Sequence, residues 1–445
     1  MREQPPLTPA RRMRRTGEHQ VRDQPSSVAG TIRLFDLTLA SLLAAALAPF
    51  WLARLLAAGW QTGRLFEREP LLGRDRQPFC RLAFAGPAAG RGLAVLFNVL
   101  RGDLAFAGPR PLTAAQAESL PLEAERRFSV RPGVFSPYQL QRQTGIAHDS
   151  ETQVDRAFVE RMSLRGSVGL IARSLLAGLL GGSERPAPPR LDFFGVPIVN
   201  TTMDEALDWI VARASPASAE RATGGQGEAN SSLLAFVNPD CLNIAYTHDA
   251  YRAVLQGAAR VLPDGIGLKI GCRMLGVGLA ANVNGTDLFP RLCERAAREG
   301  LALFLLGARP GVAEQVAENM RRRHPGLIVA GVQHGYFDAA EEAAIIGRIN
   351  GSGARILLVA FGVPRQELWL AQHRKRLQPP VRMGVGGLFD FYSGRIPRAP
   401  LWLREIGLEW VWRLAQEPGR MWRRYLIGNP LFLYRVWLQA RKEKA

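Results

Sequence analysis

The chain has few cysteines and almost no lysine. Its 445 residues include four cysteines without paired or metal-type spacing, so the sequence contains no disulfide framework and no Cys/His metal cluster. Isolated cysteines of this kind are typical of reduced thiols in the cytosol. Only four of the 57 basic residues are lysine, yet the formal net charge is +18. Nucleic acid, anionic lipid and phosphorylated compounds are therefore candidate partners.

Several motifs that assign function are also missing. The sequence has neither an RRM signature nor a Cys/His finger, so we expect no nucleic-acid partner. Its glycine-rich loops follow neither G-x-x-x-x-G-K-[ST] nor G-x-G-x-x-G, so no loop identifies a nucleotide by itself. The stretch "RGLAVLFNVLRGDLAFAGPRP", Arg91 to Pro111, is unusual. Its second half carries arginines, an aspartate and glycines suited to phosphate, but its first half carries no carboxylate or other general base.

The N-terminal third suggests a membrane-associated region. Residues 1–30 are rich in Pro, Arg and Gln, which predicts a disordered basic arm. The next 17 uncharged residues, Leu37 to Ala53, contain Pro49, which should break or kink a helix. A buried core helix and a membrane-inserted hairpin that enters and returns on one side both fit this segment. The proline and the charged flanks favour the hairpin.

The remaining sequence predicts an α/β domain and a tail. Residues 184–190 have the composition of a linker. Across 191–400, short apolar runs alternate with amphipathic helical patterns, which predicts a Rossmann-like parallel sheet with helices on both faces. Residues 401–445 hold five of the nine tryptophans and nine basic residues against four glutamates. This mixture suits a membrane interface or a polyphosphate ligand.

Ligands of parallel sheets bind beyond the carboxyl ends of the strands, and polar residues follow several predicted strands there. Asn238, Asp264 and Gln366 occupy such loops. A single aspartate beside a diphosphate could act as general base on an incoming hydroxyl, as glycosyl transfer requires. Structural alternatives remain for each residue. Asp264 and Asn238 could form turns, and Gln366 or Glu367 could cap a helix.

The C-terminal part resembles a known family. The motifs "FFGVPIVNTTMDEAL", "FVNPDCLNIA", "LPDGIGL", "VNGTDL", "LLGARPGVAE", "GVPRQELWL", "GVGGLFDFYSGRIPRAP" and "EWVWRLAQEPGRMWRRYLIGNPLFL" follow in order from about Asp192 to Val436. Together they resemble the WecG/TagA/CpsF glycosyltransferases. The resemblance implies an inverting enzyme without a metal or other cofactor. It would move a sugar, N-acetylmannosamine or a related hexose, from a UDP donor to an acceptor on polyprenyl diphosphate.

The resemblance also implies roles for individual residues. Asp264 falls on the family's general base, and Asn238 and Gln366 fall on active-site positions. Three arginines of the tail fall on positions that hold the diphosphate: Arg413, Arg420 and Arg423. A helix beginning at Pro418 would place Arg420, Arg423 and Arg424 on one face.

Two positions depart from the family pattern. Phe236 stands where the family often has threonine, and Asn282 stands where an arginine often precedes "GTDL". Both departures affect the identity of the donor sugar more than the reaction.

Residues 31–183 resemble the bacterial sugar transferases, membrane proteins that load sugar-1-phosphate onto polyprenyl phosphate. "IRLFDLTLASLLAAALAPFWL", "LLGRDRQPF", "LFNVLRGDLAFAGPRPL" and "FSVRPGVFSPYQLQ" carry this resemblance. The family's catalytic Asp-Glu pair precedes "NVLRGD", and in register this chain has Arg91 and Gly92 there. We therefore expect a degenerate domain that retains a re-entrant membrane helix without the chemistry.

The combined expectation is a UDP-sugar-dependent glycosyltransferase of exopolysaccharide or surface-glycan synthesis on the cytoplasmic face of the inner membrane. Its expected partners are the donor, the lipid-linked acceptor and the membrane, and a homo-oligomer is left open. Two alternatives remain, namely a bifunctional enzyme with both halves active and a non-catalytic membrane scaffold. Arg91 and Gly92 argue against the first, and the intact surroundings of Asp264 argue against the second.

Overall fold

The computed structural model describes most of the chain. The described residues are 26–86, 90–144, 151–181, 186–216 and 233–443. Most of the arm predicted at 1–30 and part of the linker predicted at 184–190 lie outside these ranges. The chain divides into two compact units. The N-terminal unit comprises the described residues of Met1–Val134 with Ala157–Gly169, and the C-terminal unit comprises those of Phe135–Arg156 and Leu170–Ala445.

The N-terminal unit contains one long helix and two small sheets. Strands β1 and β2 form an antiparallel hairpin, and β3 pairs with β4. The elements in chain order are α1 Ser26–Thr62, β1 Phe66–Leu72, β2 Pro78–Phe84, α2 Val95–Arg101, β3 Ala105–Ala107, α3 Ala114–Glu118 and β4 Gly133–Phe135. Three helices follow in the chain: α4 Pro137–Thr144, α5 Glu151–Glu160 and α6 Leu164–Gly181.

Helix α1 is the apolar segment expected from the sequence. Its residues Val28–Trp60 are long and apolar enough to cross a membrane. The helix runs on through Pro49 as one element, and the return of this segment to the same side of a membrane stays a prediction. Most of its length is not buried inside the protein, as Leu42, Leu56 and Trp60 illustrate with exposures of 64%, 68% and 92%. This exposed apolar surface favours contact with lipid over a role as a core helix.

The C-terminal unit is built on a six-stranded parallel sheet, which confirms the predicted α/β class. A short antiparallel hairpin, β5 Arg190–Phe193 and β6 Val196–Val199, precedes it. The strand order is β10-β9-β11-β12-β7-β8. The six strands are β7 Leu233–Val237, β8 Arg260–Pro263, β9 Leu303–Gly307, β10 Val329–Gln333, β11 Ile356–Ala360 and β12 Val381–Gly384.

Helices cover both faces of this sheet. They are α7 Met203–Ala214, α8 Pro239–Thr247, α9 Asp249–Gln256, α10 Ile266–Met274, α11 Gly285–Glu299, α12 Val312–Arg323, α13 Ala339–Gly351, α14 Arg365–Gln372 and α15 Leu388–Tyr392. Strands β7, β9 and β11 are buried at every residue, as expected for a sheet covered twice. Alternate side chains serve opposite cores. Leu234 and Phe236 pack on one face, whereas Ala235 and Val237 pack on the other.

The tail packs against the sheet domain. Its elements are α16 Leu401–Glu405, α17 Glu409–Gln416, α18 Pro418–Trp422, a π-helical turn Arg423–Gly428 and α19 Asn429–Lys442. Phe432 of α19 is fully buried, with its ring centroid 5.8 Å from that of Phe193 and 5.9 Å from that of Phe194. This aromatic contact docks the tail on the β5–β6 hairpin.

Replacing Phe432 with alanine tests this docking. We expect Phe432→Ala to lower the stability of the C-terminal unit by about 3–5 kcal/mol, because a buried aromatic ring is lost and a cavity remains. Scanning calorimetry in detergent would measure the change. Leu431→Ala is the matched control, since Leu431 lies on the same helix and is 38% exposed. Equal transition temperatures for the two variants would contradict the docking.

Candidate active site

A cleft opens beyond the carboxyl ends of β7 and β8. It encloses about 1320 Å³ of empty space, part of it continuous with solvent. Asn238 and Asp264, which follow these two strands, both line it. Residues of α16, α17 and the π-helical turn form the opposite wall. The structure therefore brings together two residues predicted from separate motifs and places the tail across from them.

The turn after β8 fixes Asp264. Its backbone N–H donates to the carbonyl of Val237 at 2.8 Å, which joins the ends of the two strands. The next residue, Gly265, has a φ of 96°, a conformation that side chains with a Cβ rarely adopt. The N–H of Gly265 donates to Oδ1 of Asn282 at 2.7 Å. Asn282, one of the two departures from the family pattern, thus holds the loop that carries the carboxylate.

Burial dominates the electrostatics of Asp264. Burial raises the pKa of its carboxyl to about 6, and the nearby carboxylates of Glu409 and Asp287 add to the increase. The guanidinium of Arg424 and a hydrogen bond from Asn238 act in the opposite direction. Asn238 also caps α8, where its Oδ1 accepts the N–H groups of Asp240 and Cys241 at 3.1 and 3.2 Å. Its amide therefore serves both the helix and Asp264.

Acidic and basic side chains alternate around the rest of the cleft. Asp287 is buried and pairs with Arg398, and Arg404 lies 3.7 Å from the same carboxylate. Arg398 also reaches Glu409 at 3.4 Å. These pairs connect α11 to the start of the tail. The two arginines place positive charge beside the cleft. Pairing with carboxylates offsets the desolvation penalty that an isolated buried charge would incur.

The tail arginines divide into separate environments. Arg413 lines the cleft, lies over the ring of Phe391 at 4.9 Å, and has a buried Nε without a hydrogen-bond partner among the described residues. Arg424 also lines the cleft and pairs with Asp240 at 3.4 Å. Arg420 lines a second pocket instead. Arg423 is exposed, stacks on Trp422 at 5.3 Å and lines neither pocket.

The second pocket lies beyond β9, β11 and β12. It holds about 1050 Å³ of empty space, part of it open to solvent. Its polar side chains include Arg365, Asp390, Arg395 and Arg420, and its walls are completed by Tyr336, Phe361 and glycine-rich backbone. Arg413 stands between the two pockets, because a Cβ added to Gly387 of this pocket would lie 2.7 Å from its guanidinium.

Gln366 forms hydrogen bonds to two backbone segments that line the second pocket. Its side chain is buried, and its Oε1 accepts the N–H of Gly362 at 3.2 Å and the N–H of Gly386 at 2.9 Å. Its Nε2 donates to Glu367 at 2.7 Å, and burial raises the pKa of Glu367 to about 7. Gln366 therefore orders two loops that line the pocket. Its direct contact with substrate stays a prediction.

Sequence reasoning assigned no site role to several residues of the cleft. Arg424, Asp287, Glu409, Trp410 and Tyr425 all line it. The motifs that contain them were recognised, but only the fold reveals which members face inward. The "VNGTDL" motif was the available signal for Asp287, because an asparagine three residues before an aspartate is typical of a helix cap. Asn284 does cap α11 and accepts the N–H of Asp287 at 2.7 Å.

Comparison with known proteins defines the class. Residues 191–445 match the model of the glycosyl transferase WecG/TagA/CpsF family, and residues 92–181 match that of the bacterial sugar transferases. The first match covers more than half of the chain, so the protein belongs to the WecG/TagA/CpsF family and is a glycosyltransferase. Both resemblances expected from the sequence are confirmed.

Two relatives share the name N-acetylglucosaminyldiphosphoundecaprenol N-acetyl-beta-D-mannosaminyltransferase. The protein from Staphylococcus aureus (strain MW2) is 30% identical over 261 residues, which are 59% of this chain and 97% of the relative. The protein from Bacillus spizizenii (strain W23) is 34% identical over 194 residues, which are 44% of this chain and 74% of the relative.

The pH dependence of activity tests the role of Asp264. A general base must be deprotonated to act, so kcat/KM should fall about tenfold per pH unit below a pKa of about 6. Asp264→Asn should lower turnover by roughly 10²–10⁴-fold at pH 8, with the thermal unfolding transition retained. A variant with near wild-type turnover would reduce Asp264 to a turn residue.

Arg424 should set the pH below which kcat/KM falls, which is the acid limb of the pH profile. Its positive charge favours the carboxylate, so Arg424→Gln should raise the pKa of Asp264 and move the limb to higher pH. The neighbouring exposed arginine provides the comparison, since Arg423→Gln should leave the limb in place. An unchanged limb in Arg424→Gln, measured over pH 5–8, would contradict this electrostatic coupling.

Proposed function

We propose that the protein is an inverting glycosyltransferase that moves N-acetylmannosamine or a related hexose from a UDP donor to a sugar carried on polyprenyl diphosphate. The observation that carries this proposal is the partly buried carboxylate of Asp264 in a cleft walled by arginines. The two relatives are named for activity on a lipid diphosphate that carries N-acetylglucosamine, which supports the choice of acceptor.

The proposed chemistry is a single displacement. The acceptor hydroxyl oxygen attacks the anomeric carbon of the donor as Asp264 takes its proton. The bond between that carbon and the diphosphate oxygen breaks, and UDP leaves with the electron pair. Arg413 lies between the two pockets and offers an unpartnered buried Nε, so it is placed to meet the developing negative charge.

The two pockets suit the two substrates. The second pocket combines the carboxylate of Asp390, suited to ribose hydroxyls, with Arg365 and Arg420, suited to phosphate. Its glycines allow close approach of a nucleotide to the backbone. We assign it to the UDP part of the donor. The cleft at Asp264 then receives the acceptor sugar, and Arg424 and Arg413 face its diphosphate.

We further propose that the enzyme works at the cytoplasmic face of the inner membrane. Several apolar side chains of the tail are exposed: Trp402, Trp422, Leu426, Ile427, Leu431, Tyr434 and Trp437. Arginines lie among them, with Arg441 at 3.8 Å over the ring of Trp437. Aromatic rings mixed with cations are typical of membrane interfaces. In the N-terminal unit, α1 supplies a second apolar surface, which we propose as a re-entrant anchor.

The N-terminal unit is proposed to anchor without catalysing sugar-1-phosphate transfer. Arg91 occupies the position of the family's acidic pair, and its guanidinium forms an ion pair with Glu67 of β1. A carboxylate nucleophile is therefore replaced by a paired cation, and covalent catalysis needs the nucleophile. Retention of a lipid-binding unit would raise the local concentration of a lipid-linked acceptor.

Product analysis tests the proposal. Full-length protein in detergent, given UDP-N-acetylmannosamine and a short-chain lipid diphosphate bearing N-acetylglucosamine, should release UDP only when both substrates are present. UMP should not appear when polyprenyl phosphate replaces the acceptor. Asp264→Asn is the matched control for the UDP signal. Release of UMP would favour a bifunctional enzyme, and the absence of disaccharide product across a panel of UDP-sugars would contradict the proposal.

A further inference from the structure

Two helices outside the family's defining segment belong to the C-terminal unit. The family match begins at residue 191, whereas α4 and the second half of α6 precede it and lie within residues 92–181, matched by the sugar transferases. Yet Phe135–Arg156 and the chain from Leu170 on cluster with the large sheet. Helix α4 packs against α16, and Ala177 of α6 lines the cleft that contains Asp264.

A buried ion pair joins these helices to the tail. Arg173 of α6 pairs with the carboxylate of Glu405, the last residue of α16. The Glu405 side chain is only 3% exposed, and that of Arg173 is 27% exposed. Gln141 of α4 also donates a hydrogen bond to Glu405. Both preceding helices therefore hold the same carboxylate.

This carboxylate lies at a critical point of the cleft wall. Glu405, Ile406 and Gly407 all line the cleft. The chain then continues directly into α17, which contributes Glu409, Trp410 and Arg413 to the same wall. A displacement of Glu405 would move the residues that face Asp264. Geometry errors of about 1 Å can cost on the order of 10²-fold in rate.

We propose that α4 and α6 act as an intramolecular clamp on the cleft wall, with Arg173 as a positioning residue that acts through Glu405. The clamp rests on the proposed function only in that the affected substrate is the lipid-linked acceptor. In this proposal, part of the sugar-transferase-like segment neither catalyses nor anchors. It positions the wall of the glycosyltransferase site that contacts the acceptor.

The asymmetry of the pair makes the clamp testable. Removal of Arg173 leaves a buried carboxylate without its ion-pair partner, whereas removal of the charge of Glu405 leaves an arginine that water can reach. Arg173→Met should therefore be more damaging than Glu405→Gln. The double variant should recover toward Glu405→Gln, because the uncompensated charge is gone. A contribution from side-chain packing alone would instead make the double variant the worst of the three.

Steady-state kinetics with full-length protein provide the first measurement. Arg173→Met should lower kcat/KM for a short-chain lipid diphosphate acceptor by on the order of 10²-fold. KM for the UDP-sugar should change less than twofold, roughly, because neither Glu405 nor its neighbours line the second pocket. Arg173→Lys, which keeps the charge, should restore much of the loss. Arg165→Met is the matched control, since Arg165 is an exposed arginine of the same helix.

Hydrogen exchange provides a measurement that does not depend on activity. Amides of α16 and α17 should exchange faster in Arg173→Met than in wild type and in Arg165→Met. If the amides of α16 and α17 exchanged at the wild-type rate in Arg173→Met, the clamp would be overturned. Faster exchange with an unchanged kcat/KM for the acceptor would overturn the positioning role and leave a structural brace. If wild-type protein transferred no sugar, the proposed function would fail, but the exchange measurement would still decide the clamp.

Discussion

The carboxyl ends of six parallel strands converge on one edge, and the site depends on this constraint. The strand order places β12 beside β7, so loops distant in sequence become neighbours there. The loops after β7 and β8 carry Asn238 and Asp264, and the loops after β11 and β12 carry Gln366 and Gly386. Two adjoining pockets result, one for each proposed substrate. Ligand sites at such an edge are a general property of open α/β sheets.

A second constraint follows from the tail. Its helices bring arginines to a cleft that already contains several buried or partly buried carboxylates, so each charge needs a partner. The ion pairs of Asp287 with Arg398 and of Asp240 with Arg424 supply them. Asp264 lies near Arg424, but burial outweighs the opposing charge of that guanidinium and leaves the pKa of Asp264 raised. A raised pKa of this kind suits the role of general base that we propose for Asp264.

The sequence predicted the sheet and the position of Asp264 because both depend on local patterns. Continuous apolar runs predict buried parallel strands, and a polar residue directly after such a run falls at the ligand edge. Local patterns did not predict which arginines of the tail face the cleft. An α-helix would have placed Arg420, Arg423 and Arg424 on one face, but a π-helical turn begins at Arg423. Arg424 faces the cleft, whereas Arg423 lies outside it.

Other features depend on tertiary contacts that local patterns do not encode. Gln366 has the position of a helix-capping residue, but its amide orders the backbone of Gly362 and Gly386, two loops that meet only in the folded sheet. The pairing of Arg173 with Glu405 joins residues 232 positions apart. No periodicity or motif links such residues.

The central claim is that one base-assisted displacement occurs at Asp264 without a glycosyl-enzyme intermediate. The configuration of the product's anomeric carbon tests this claim most directly. With a UDP-α-linked donor labelled with ¹³C at C1, the one-bond C1–H1 coupling of the product should be that of a β-glycoside. A product that retains the α-configuration would require two displacements or a different attack geometry. That result would contradict the role of Asp264 as the base of a single displacement.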